Sequence, residues 1–183
     1  MRVSALALPG VMLVEHEVFG DARGSFFESW NERGFTAAGI GARFVQENVS
    51  ESQRWVLRGL HYQIQHAQGK LLRVLAGEIF DVVVDLRRAS PSFGRSLALT
   101  LDARGARSLW VPPGFAHGIL ALTPGATRVQ YLVTDFWSRE AERSLAWNDP
   151  ALGIEWPLPP GVSPLLSAKD AAAPPLAQVE TFP

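Results

Sequence analysis

The sequence predicts an all-β protein, a sandwich or barrel of short strands with only a few short helices. Apolar and polar residues alternate with period two along its middle, and turn residues punctuate that alternation at short-strand spacing. Only Asn31 to Ala38 has a fair helical pattern.

Near the N-terminus, Arg2 and the apolar run Val3 to Val14 have the outline of a secretory signal. Pro9-Gly10 breaks that run, however, and no small-residue cleavage site follows before Glu15-His16-Glu17. No run reaches the roughly 18 apolar residues a spanning helix needs, so a soluble, cytoplasmic chain is expected. In Phe80 to Leu86, Asp81 and Asp85 fall opposite Phe80, Val82, Val84 and Leu86, the pattern of a strand with one buried side. Ser96 to Leu101 puts three leucines on one face, and Arg128 to Val133 gathers Val129, Tyr131 and Val133 on one face. Turn signals stand between these runs at Gly69, Gly77, Ser90-Pro91-Ser92, Arg104-Gly105, Pro112-Pro113-Gly114 and Pro124-Gly125. Pro157 to Pro183 holds seven of the thirteen prolines and on composition alone reads as a loose tail.

The 183 residues suit one domain, and 47% apolar content with a net charge of −1 argues for a globular fold. No clustered basic face is present, so nucleic acid is not an expected partner. The absence of cysteine removes disulfides, zinc ribbons and thiol nucleophiles together.

Chemistry has to come from other side chains. The histidines are His16, His61, His66 and His117, and a single His in a β protein is ordinarily a hydrogen-bonded structural residue. Pro113-Gly114-Phe115-Ala116-His117 resembles the second motif of cupins, small jelly-roll barrels that often hold a metal. The first cupin motif would put a Glu with six residues between it and Gly77, and Lys70 stands in that place; its paired histidines would fall near Ile64 and His66, so one of them is aliphatic. An ammonium where a carboxylate should be defeats the metal reading. A lysine in the mouth of an apolar barrel suits another task, holding the negative charge of an enolate as it forms.

Eight segments in chain order carry a more specific resemblance. They are Phe19 to Glu28, Phe44 to Ser50, Leu57 to Gln63, Gln68 to Leu71, Asp81 to Arg87, Pro113 to Gly118, Trp147 to Pro150 and Ser167 to Asp170. Together they resemble the dTDP-4-dehydrorhamnose 3,5-epimerase family. The resemblance implies a cupin-like jelly roll over residues 1–183, with about 157–183 folded back over the active site. It implies a dTDP-4-keto-6-deoxyhexose substrate, no metal or redox cofactor, and a homodimer with exchanged N-terminal strands. It assigns the base to His61, the carboxylate that orients it to Asp170, the enolate-stabilising cation to Lys70 and the acid to Tyr131. Tyr62 is the other tyrosine, and as the strand neighbour of His61 it should point to the opposite face. The resemblance also puts Arg23, Glu28, Gln46, Asn48, Arg58, His117, Glu142 and Lys169 around the nucleotide and sugar, with Arg23 and Glu28 able to complete the neighbouring subunit's site.

Two departures stand out. Trp137 follows Phe136 where the family usually has tyrosine; an aromatic there could stack on thymine or pack near the sugar. Arg54-Trp55 replaces the usual small residues. Relatives that invert only C3 or only C5 share the same base and acid, so a mono-epimerase is the alternative. A non-catalytic sugar-nucleotide-binding jelly roll is a further one, and a metal-dependent cupin is a third class.

Overall fold

The computed structural model describes residues 1–183. Its strands in chain order are β1 (Arg2–Ala5), β2 (Met12–Glu15), β3 (Phe19–Asp21), β4 (Gly24–Phe26), β5 (Gln46–Ser52), β6 (Leu57–Gln63) and β7 (Lys70–Ala76). They continue with β8 (Glu78–Asp85), β9 (Ser96–Asp102), β10 (Arg107–Val111), β11 (Phe115–Ala121), β12 (Thr127–Val133) and β13 (Glu142–Ser144). One sheet runs β1-β2-β10-β7-β12-β5, a second runs β13-β6-β11-β8-β9, and β3 and β4 form a separate hairpin. All these pairings are antiparallel.

The two large sheets pack face to face as a jelly roll. Leu72, Val74, Leu109, Val111 and Val129 from one meet Ile79, Val83, Leu101, Phe115 and Ile119 from the other. Alternation put Val129, Tyr131 and Val133 on one face of β12, and there they are buried or partly buried toward this core. β8 differs from its sequence reading, because both of its faces are covered. Ile79, Asp81, Val83 and Asp85 face inward, while Val82, Val84 and Leu86 form an outer cluster with Leu60, Tyr62, Leu145 and Leu152. The aspartates therefore lie inside the barrel, and the apolar stripe is the outer one.

That outer stripe is shielded by the chain's last segment. Ile154, Trp156, Leu176, Val179 and Phe182 pack on it. The segment is tied down along its length: Leu165 bridges Val56, Ala146 N–H donates to Pro174 O (2.8 Å), and Phe182 N–H donates to Leu86 O (3.0 Å). Proline-rich composition does not leave it loose here, because its donors and acceptors are paired with strand edges. On the other sheet's outer face, helix α1 (Glu32–Ala37) lays Phe35 against Val14, Leu71 and Trp110, capped by Asn31, which accepts from Gly34 N–H (2.6 Å). A second helix, α2 (Ala168–Ala171), gave no periodic signal; it is a single turn capped by Ser167.

β6 and β11 approach most closely at two glycines. A Cβ at Gly59 (φ +126°) would lie 2.6 Å from Gly118 Cα and 2.8 Å from His117 O. Only glycine fits that approach, and it brings His61 directly opposite His117 on the inner face. No helix is long and apolar enough to cross a membrane.

Candidate active site

The barrel opens on a cavity of about 240 Å³ lined by Asn48, Ser50, Arg58, His61, Lys70, His117, Ile119 and Tyr131. These side chains come from β5, β6, β7, β11 and β12, so both sheets build one pocket.

His61 is partly exposed to it, and its Nε2 lies 2.5 Å from Asp170 Oδ1. Asp170 is buried on α2, where its own N–H donates to the capping Ser167 Oγ (3.1 Å). Burial presses this carboxyl upward, but the bond and charge of His61, with Ser167 and Lys169, outweigh it and hold the net value below the ordinary one. A carboxylate on Nε2 fixes the ring and leaves Nδ1 as its free nitrogen.

Lys70 begins β7, where burial pushes its ammonium down to about 8 against the opposing pull of Glu142. Tyr131 sits centrally in β12, and burial raises its phenol to about 12 despite a contact of 3.4 Å with Ser50 Oγ. His117 is buried with Nε2 2.8 Å from Asp81 Oδ2, and its ring meets Tyr131 edge-on at 6.2 Å. The second oxygen of Asp81 is buried without a partner. Tyr62 faces the outer cluster, its hydroxyl donating to Glu180 O (2.6 Å). His66 lies 3.4 Å from Asp135 and is largely exposed, apart from the cavity lining. No three His, Cys, Asp or Glu side chains converge on one point.

Around this centre the polar residues form a rim. Arg58 donates to Ser52 Oγ (2.9 Å) and Glu51 O (2.9 Å). Gln46 donates to Asn48 Oδ1 (2.9 Å) and accepts from Trp137 N–H (3.0 Å), which ties the half-exposed Trp137 to β5. Glu142 pairs with Lys169 at 3.0 Å. Arg23 and Glu28 stand outside the group: Arg23 forks onto Asp21 within the β3–β4 hairpin, and Glu28 accepts from Asn31 ahead of α1.

Three residues of this centre were not singled out as site residues in the sequence. Ser50 alternates with Gln46 and Asn48 on one face of β5, a signal that could have found it. Ile119 reads as core. Asp81 was legible only as a polar residue on an apolar strand.

The model of the dTDP-4-dehydrorhamnose 3,5-epimerase family matches residues 5–178. This chain belongs to that family. It is 52% identical to a dTDP-4-dehydrorhamnose 3,5-epimerase of Pseudomonas aeruginosa, over the full length of both. It is 49% identical to the enzyme of that name from Salmonella typhimurium, over 97% of each chain. The crystal structure of a dTDP-6-deoxy-D-glucose-3,5-epimerase from Legionella pneumophila, in complex with dTDP-4-keto-L-rhamnose, superposes with a TM-score of 0.93 at 43% identity, covering 98% of this chain and 94% of that one. The family thus accounts for the jelly roll and for an isomerase built on it.

Proposed function

We propose that this protein epimerises C3 and C5 of dTDP-4-dehydro-6-deoxy-D-glucose, yielding dTDP-4-dehydro-L-rhamnose. The observation that carries the reading is the convergence of an imidazole–carboxylate pair, an ammonium and a phenol on one small cavity. The C4 ketone acidifies the hydrogens on C3 and C5. His61, oriented by Asp170, takes one of them; Lys70 faces the C4 oxygen and holds the charge of the enolate; Tyr131 returns a proton to the opposite face. Positioned acid–base groups contribute about 10²–10⁴ in rate and one oxyanion donor about 10²–10³. The reaction is redox-neutral and requires no electron acceptor.

Arg58, Asn48, Gln46, His117, Glu142 and Lys169 serve the sugar and diphosphate in this reading, with Trp137 against the thymine or the sugar. Arg23 and Glu28 join from the partner of a cytoplasmic homodimer. The exposure of every residue in β3 and β4, including Phe19 and Phe26, supports a hairpin meant to be covered by a second copy.

Inversion of both carbons is favoured over one because the relatives near 50% identity carry the 3,5 name. Proton NMR of the substrate in deuterated water tests it. Exchange and inversion at both C3 and C5 are expected, and change at a single carbon would make the chain a mono-epimerase.

A further inference from the structure

We infer that Ser50 is a positioning residue for Tyr131, aiming the phenol at the sugar and donating a hydrogen bond to the phenolate left once the proton has gone. This rests on the epimerase reading above. Ser50 Oγ is the one side-chain group within hydrogen-bonding distance of the Tyr131 hydroxyl, at 3.4 Å. The ring is held edge-on by His117, itself fixed by Asp81, so rotation of the hydroxyl is the freedom left to it. Ser50 controls that rotation.

The placement follows from register. β5 pairs with β12 so that Asn48 is opposite Tyr131 and Ser50 opposite Val129. Diagonal neighbours on one face of an antiparallel pair lie within reach of a long aromatic side chain, and both Ser50 and Tyr131 line the cavity. A distance of 3.4 Å is long for two neutral hydroxyls, and such contacts shorten when one oxygen gains charge. The contact therefore matters most after proton donation, when Tyr131 is an anion in a site whose burial opposes that charge. In that step the Tyr131 O–H bond breaks, its proton bonds to the enolate carbon, and Ser50 keeps its own proton while donating to the phenolate. Removal of the substrate hydrogen by His61 precedes this and does not involve Ser50.

That separation defines the test. Deuterium wash-in with retained configuration reports removal by His61, and inverted product reports delivery by Tyr131. In Ser50→Ala, wash-in at C3 and C5 should stay within about threefold of the parent while inversion falls about 10–100-fold, the loss of one charge-assisted hydrogen bond. Ser50→Thr, which keeps a hydroxyl, should recover most of the inversion. Retained wash-in also certifies that Ser50→Ala is folded. Inversion at the parental rate in Ser50→Ala, a proportional loss of wash-in and inversion, or no recovery in Ser50→Thr would each overturn the role of Ser50. A parent that neither exchanges nor inverts would overturn the epimerase reading itself, and the role of Ser50 with it.

Discussion

In the proposed reaction Lys70 answers to two opposed demands. A charge aimed at the C4 oxygen is useful only if it is desolvated, yet desolvation is what pushes the ammonium down to about 8. Enolate stabilisation needs the protonated form, so kcat should fall as pH rises through about 8; Tyr131, raised to about 12, stays protonated across that range and does not set the limb. Stability runs the other way. The folded value lies below the ordinary 10.5, so the unfolded chain binds more protons between about 8 and 10.5 and the folded state gains stability as pH climbs through that window. Lys70→Met should therefore raise unfolding free energy near pH 7 by about 1–2 kcal/mol, allowing for partial solvent screening, with the gain vanishing toward pH 10.5. The same substitution should lower kcat by about 10²–10³. Denaturant unfolding at pH 7 and pH 10, beside the rate profile, checks both halves. A variant that is less stable at every pH would mean that burial costs this ammonium nothing.

Among the elements, the terminal segment supplies the carboxylate that pairs with His61. Asp170 lies 109 residues from His61 in the chain, and the turn that carries it is held on both flanks. On one side Leu165 exchanges backbone bonds with Trp55 and Leu57; on the other, Asp149 caps the turn after β13 at Ala151 N–H (2.9 Å) and accepts from Leu176 N–H (2.6 Å). This gives Trp147-Asn148-Asp149-Pro150 a physical purpose. In Asp149→Ala two amide donors lose their acceptor, at about 1–3 kcal/mol for each one left buried. The melting temperature should drop and proteolysis should begin within residues 157–183, while kcat falls through drift of Asp170. Unchanged protease resistance in that segment would show that the clamp lies elsewhere. Such long-range ties also mark the limit of what the chain discloses locally. Alternation identified β12 and the inward face of Tyr131, since Val129, Tyr131 and Val133 fall on one side while Arg128 and Gln130 mark the other. It misjudged β8, where the outward side is apolar too, because a distant segment covers it. The helical pattern from Asn31 to Ala38 announced α1, whereas α2 is too short for any periodicity. The linkage of Asp170 to His61 was suggested by family resemblance and by no local pattern.

At the scale of the whole molecule, the single chain leaves two expected site residues outside its own cavity. Arg23 pairs with Asp21 in a hairpin whose residues 19–26 are all exposed, while the cavity already holds Arg58 and leaves Arg23 out of its lining. In the proposed dimer, a guanidinium on this exposed hairpin would serve a neighbour's site, and closed two-fold symmetry would return the same favour. Subunit mixing distinguishes the two arrangements. His61→Ala and Arg23→Ala should each be nearly inactive alone. If the hairpin crosses, a mixed dimer contains one site with both lesions and one with neither. Random reassortment makes half of the dimers mixed, so an equimolar mixture should recover about a quarter of parental activity after exchange. If Arg23 serves its own subunit, every site keeps one lesion and mixing recovers nothing. Recovery also has to be symmetric: if the two residues enter the same neighbouring site, Glu28→Gln should complement His61→Ala and should fail to complement Arg23→Ala.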